Sequence, residues 1–74
     1  FNPTTTIEFS IPYSSFVTVK IYDITGKEIT TLLNDNLPVG YHSVTWDSNN
    51  SSGLYFIRME SGEFIQTRKV VLVK

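Results

Sequence analysis

Apolar and polar residues alternate along most of the chain, the pattern of strands with one dry and one wet face. From Thr5 to Ile11, the positions Ile7, Phe9 and Ile11 share one face and Glu8 and Ser10 the other, until Pro12 stops the run. A second segment, from about Phe16 to Tyr22, turns Val17, Val19 and Ile21 inward and Thr18 and Lys20 outward. Asp23-Ile24-Thr25-Gly26 reads as a hairpin turn, with glycine supplying a positive φ. The return strand runs from Lys27 to Leu33, and Asn34-Asp35-Asn36 reads as a polar loop.

Leu37-Pro38-Val39-Gly40 fits a type I turn, proline second and glycine fourth. The fourth strand spans Tyr41 to Asp47, with Val44 and Trp46 facing the core. A Ser/Asn loop from Ser48 to Gly53 precedes a fifth strand from Leu54 to Glu60, and Ser61-Gly62 signals a tight hairpin. Glu63 to Lys74 forms the last strand, with a possible break near Lys69. This gives six strands, or seven if the last one bends. No helical segment bridges any two of them, which excludes a parallel βαβ plan. One sheet alone would leave every apolar face wet, so two layers are required. The expected fold is all-β: an immunoglobulin-like antiparallel sandwich of six to seven short strands, with Trp46 at its centre.

Composition narrows the picture further. Alanine is absent and threonine abundant, a mixture that suits strands and disfavours helices. With 74 residues the chain is one domain, 1–74, too small to hold a deep cleft as well as a core. A formal net charge of −1 gives no reason to expect nucleic acid as a partner. The absence of cysteine removes disulfides, thiolate metal sites and a cysteine nucleophile together. No apolar run approaches the ~20 residues of a membrane helix. The abrupt start at Phe1-Asn2-Pro3 suggests a fragment cut from a larger protein.

Catalytic chemistry finds no foothold. His42 is the one histidine, and Ser43 beside it must point to the opposite face of a strand, so His42 is expected at the surface without a nucleophile. The seven carboxylates are scattered over solvated strand and turn positions. Asp47-Ser48-Asn49-Asn50-Ser51 offers oxygen ligands, but Ser52 and Arg58 stand where a calcium loop needs glycine and glutamate. An Asx-rich turn is the better reading, and the two overlapping sequons at Asn49 and Asn50 indicate exposure. Tyr13, Tyr22, Phe56 and Phe64 are candidates for a carbohydrate platform, though covers for loop ends and sheet edges explain them as well. No enzyme activity, cofactor, metal or small-molecule substrate is expected.

The most distinctive segment is the tail. Arg68-Lys69 precedes Val70-Val71-Leu72-Val73, with Lys74 last, a run that suggests a strand buried on both faces, one that passes under an edge, or a final core strand whose basic flanks guard against edge aggregation. Two stretches resemble the type IX secretion C-terminal sorting domains, type A, of the Bacteroidetes and related phyla. Phe1-Asn2-Pro3-Thr4-Thr5-Thr6-Ile7-Glu8-Phe9 is similar to that family's entry motif. Gly53-Leu54-Tyr55-Phe56-Ile57-Arg58, then Gly62, then Lys69-Val70-Val71-Leu72-Val73-Lys74 is similar to its exit motif. Between them Val19 to Asp23, Gly26-Lys27-Glu28 and Val44-Thr45-Trp46-Asp47 also fit.

The resemblance implies an address. Such a module ends a cargo protein that passes through the periplasm to the cell surface or medium. It is recognised by the outer-membrane translocon and commonly cut by a sortase-like protease. By position, the implied recognition residues are Asn2, Pro3, Gly53, Tyr55, Gly62, Arg68, Lys69, Val70, Val71, Leu72, Val73 and Lys74. Two other readings stand beside it. One is a structural immunoglobulin-like spacer, similar to the domain of flagellar hook-capping proteins; the other is an accessory carbohydrate-binding module.

Overall fold

In a computed structural model of the chain, residues 4–47, 52–62 and 64–73 are described. They form six antiparallel strands: β1 (Thr4–Ile11), β2 (Ser15–Tyr22), β3 (Glu28–Leu37), β4 (Gly40–Asp47), β5 (Gly53–Ser61) and β6 (Phe64–Leu72). β1 and β4 make one layer, and β3-β2-β5-β6, in that order, make the other. In immunoglobulin terms β1 and β4 take the places of B and E, and the larger layer those of C′-C-F-G.

The inward faces are those the alternation predicts. Val17, Val19 and Ile21 of β2 are fully enclosed, and Ile57, Met59 and Tyr55 of β5 lie alongside them. From the opposite layer Ile11 and Trp46 complete the buried core, with Ile7, Phe9 and Val44 packed against it. Each large aliphatic enclosed this way contributes about 1.5–3 kcal/mol. With no disulfide available, such packing and the strand ladders are what hold the fold.

The polar triplet Asn34-Asp35-Asn36 is not a loop. It belongs to β3, pairing with Thr18, Val17 and Phe16 of β2. Period-two reading misses it because two register shifts interrupt β3. Val19 pairs with Leu33 but Lys20 with Thr31, which leaves Leu32 as an extra residue; a second shift bypasses Ile29. A bulge lets adjacent residues face the same way. Leu32 and Leu33 therefore both reach the core although they are consecutive.

In the tail, β6 is one unbroken strand through Lys69, as the count of six strands has it, and it is an edge strand of its layer. Its apolar run is not buried on both faces. Leu72 is 1% exposed, Val70 is half-buried, and Val71 and Val73 stand outside at 52% and 57%. The hairpin before it closes one residue later than expected, because Ser61 pairs with Phe64 and Gly62 opens the connection. Gly62 has φ +62°, the left-handed value that a two-residue hairpin loop demands at its first position.

Candidate functional site

The side chains most able to do chemistry are occupied in structure. His42 lies on the inward side of β4, half-buried rather than at the surface. Its Nε2 donates to the Pro38 carbonyl at 2.7 Å, and its ring tilts against Phe9, 5.8 Å between centroids. That hydrogen bond ties the strand back to the turn before it. Ser43 points to the other face, as strand geometry requires.

Asp23 is held by a cluster of short local hydrogen bonds. Its Oδ1 accepts from the Thr25 hydroxyl at 2.6 Å, the Lys27 amide at 3.0 Å and the Thr25 amide at 2.9 Å. These bonds, the hydroxyl foremost, hold the carboxyl below its ordinary value. The cause is local: Asp23 is the staple of the β2–β3 turn. Asp47 accepts from Thr4 at 3.2 Å and so ties β1 to β4 at their shared end. No group of metal-ligating side chains occurs among the described residues. The calcium-like loop, apart from Asp47 and Ser52, and both sequon asparagines lie outside them.

Among the aromatic candidates, Tyr22 and Phe56 are half-buried cross-strand partners on the outer face of the larger layer. Tyr13 and Phe64 are exposed and border the same hollow at the other end. The four thus divide between two places.

The motif residues do converge. Gly53 pairs with Leu72, Tyr55 with Val70, Phe56 with Lys69 and Ile57 with Arg68, so the exit motif is a single hairpin, β5–β6. The entry side joins it through the ladder and the chain. Thr4 pairs with Asp47, and six residues later Gly53 opens β5 opposite Leu72. Both motifs therefore meet at one end of the sandwich. Asn2, Pro3 and Lys74 lie outside the described residues.

Within the hairpin the residues have two jobs. Tyr55 and Leu72 are core, and Gly62 shapes the turn. Arg68, Lys69, Val71 and Val73 are exposed, so a partner can touch them directly. On the outer face Arg58 Nε lies 3.0 Å from Glu60 Oε1, shielded from solvent but too oblique for a hydrogen bond, so charge holds the pair. Lys20 pairs with Glu28 at 3.2 Å. Arg68 and Lys69 have no carboxylate within ion-pair distance among the described residues. This division of β6 is not visible in the run Val70–Val73 itself; only pairing with β5 sets which residues face inward.

The family model for the secretion system C-terminal sorting domain, the Por secretion tail, matches residues 2–74. The chain belongs to that family. No curated protein and no solved structure matches it. As a sorting domain of type IX secretion, it is a module for export to the cell surface or the extracellular space. The match takes in both motifs and every strand between them.

Proposed function

We propose that this sorting domain is a non-catalytic address, read on the outer surface of its terminal hairpin while a cargo passes from the periplasm through the outer-membrane translocon. A sortase-like protease then separates it from the cargo. The observation that carries this reading is the family match across residues 2–74, whose exit motif forms one hairpin at the edge of its sheet, with no further strand beside β6 among the described residues. An unpaired edge presents backbone donors and acceptors in a row, and adding a strand there is a common way of recognising an extended partner. Arg68 and Lys69 lie on that strand, one toward each face, with no carboxylate in ion-pair range among the described residues.

The test is export of a periplasmic reporter fused ahead of these residues in a bacterium with type IX machinery. Reporter at the surface or in the medium is the expected result; retention in the periplasm overturns the reading. Removing Val70 to Lys74 is a poor control, since it takes Leu72 out of the core. Charge reversal at the exposed Lys69, and Val71→Asp beside it, alter the surface without opening the interior. These variants are expected to fold normally and to lose export.

A further inference from the structure

On the outer face of the larger layer, four side chains stand at the corners of a square. Phe56 and Arg58 are successive outward positions of β5, and Lys69 and Thr67 are their partners on β6. Partners across the strands lie about 4.5–5.5 Å apart at Cβ, and those along a strand about 7 Å. Lys69 and Thr67 are exposed, while Arg58 and Phe56 are half-buried. Arg58 meets Glu60 only through its Nε, and Glu60 lies on the side of Arg58 away from Phe56. The terminal guanidinium nitrogens find no acceptor among the described residues, and Lys69 finds no carboxylate there. Three corners are therefore hydrogen-bond donors, two of them cationic, and the fourth is an aromatic ring.

Positive charge is gathered here at a cost. Lys20 stands directly opposite Arg58 on its other side, and like charges so placed repel. Glu28, 3.2 Å from Lys20, and Glu60, 3.0 Å from Arg58, offset that repulsion from the two flanks and leave Lys69 as the surplus. The opposite outer surface has the reverse sign, since β1 and β4 carry Glu8 and Asp47 but no lysine or arginine. An anion is thus directed to one face of the sandwich. Beyond Phe56 the same row continues to Tyr22, its partner on β2, so the aromatic corner adjoins a second ring.

We propose that this square binds a sugar bearing a phosphate or sulfate ester. The ester oxygens accept from the Arg58 guanidinium, the Thr67 hydroxyl and the Lys69 ammonium, and ionised partners make such bonds strong. The sugar ring lays its C–H face over Phe56 toward Tyr22, where the negative face of an aromatic ring favours it. A bare anion would leave both rings unused, and a neutral sugar would leave the cations unmatched. Protection of an edge strand explains a lysine on β6, but not its convergence with Arg58 and Thr67. The site does not depend on the sorting role, and its test involves no export.

The probes are glucose-6-phosphate, glucose-6-sulfate, glucose and inorganic phosphate. Each is titrated into the purified 74-residue chain and followed through the backbone amide shifts. Both esters are expected to shift the amides of Phe56, Arg58, Thr67 and Lys69, while glucose and phosphate alone bind more weakly. Lys69→Gln should weaken both esters about two- to fivefold, the range of an exposed ion pair. Thr67→Val keeps the branched shape and should weaken them by about twofold or more. Phe56→Leu should weaken the esters and leave inorganic phosphate unchanged. Lys27→Gln, which removes a cation of the β2–β3 turn, should change nothing. Thermal unfolding checks that each variant is folded. No binding of either ester, or shifts confined to β1 and β4, overturns the site. Equal affinity for glucose and its esters overturns the anion corner, and equal affinity for phosphate and the phosphate ester overturns the ring. Indifference to both Lys69→Gln and Thr67→Val, or an equal loss in Lys27→Gln, overturns the placement.

Discussion

Trp46 of β4 and Tyr55 of β5 meet edge to face across the sandwich, their centroids 5.4 Å apart and their planes at 74°. That geometry suits the ring quadrupoles and adds roughly 0.5–1.5 kcal/mol to what burial alone supplies. The contact couples the two layers at the end where the entry and exit motifs meet. Tyr55 belongs to the exit motif, yet it is 7% exposed and faces Trp46, so its contribution to sorting runs through stability. Tyr55→Ala is expected to cost about 3–5 kcal/mol, comparable with the whole stability of so small a domain. Tyr55→Phe keeps the ring and should stay folded and exported. Thermal unfolding monitored beside reporter export separates the two effects.

Leu72 and Val71 are neighbours with opposite fates, which makes them a matched pair. Leu72→Ala should destabilise by about 2–5 kcal/mol, since it opens a cavity at a fully buried site. Val71→Ala, at an exposed position, should shift stability by no more than about 0.5 kcal/mol. Denaturant titration of both variants checks the inward and outward assignment of β6 directly.

Ser15 and Ser61 share a hydrogen bond of 2.7 Å, and Ser61 is the one buried polar residue among those described. Removing either hydroxyl leaves the other with an unmet bond, at a cost of about 1–3 kcal/mol. The double replacement by alanine should cost clearly less than the sum of the singles. A double-mutant cycle by chemical denaturation provides the measurement, and strict additivity would remove the hydrogen bond from the account.

Gly62 permits a turn that a side chain would resist. At φ +62° an L-residue is strained by about 1–2 kcal/mol, although a Cβ there would meet nothing nearer than the Tyr13 hydroxyl at 3.8 Å. Gly62→Ala should therefore lower the melting temperature through backbone strain alone, and Gly62→Asn, which tolerates this region better, should lose less.

The β2–β3 turn is expected to loosen in acid. The Asp23 carboxyl sits below its ordinary value when folded, so its contribution is fully present above the unfolded-state value. That contribution falls away as pH drops through the folded-state value. Amide exchange at Thr25 and Lys27, compared between neutral and strongly acidic pH, should show faster opening in acid. Asp23→Asn removes the titrating group and with it this pH dependence.

Most of the scaffold was legible because alternation is a direct record of facing. Ile7, Phe9, Ile11, Val17, Val19, Ile21, Val44 and Trp46 all point where period two places them. The reading failed where pairing, not sequence, decides the direction of a residue. Leu32 and Leu33 both face inward because of a bulge, and Asn34 to Asn36 extend a strand because β2 runs alongside them. The tail failed for a related reason: four apolar residues in a row have no phase until Gly53 and Tyr55 fix one. The recognition residues inherited the same ambiguity, since a motif groups core, turn and surface positions without marking which is which. His42 shares the phase of Val44 and Trp46, so alternation itself points it inward; the expectation of a surface position set that phase aside, and the Pro38 carbonyl that holds the ring lies in a turn.

The interleaving of Val71 and Val73 with Leu72 has an effect on any molecule that inspects this segment. In a loose chain all these side chains are equally available and equally sticky; once the sandwich closes, one vanishes and its neighbours remain, held two residues apart on a rigid ribbon. Folding, and not sequence alone, therefore decides which of these side chains any partner can meet.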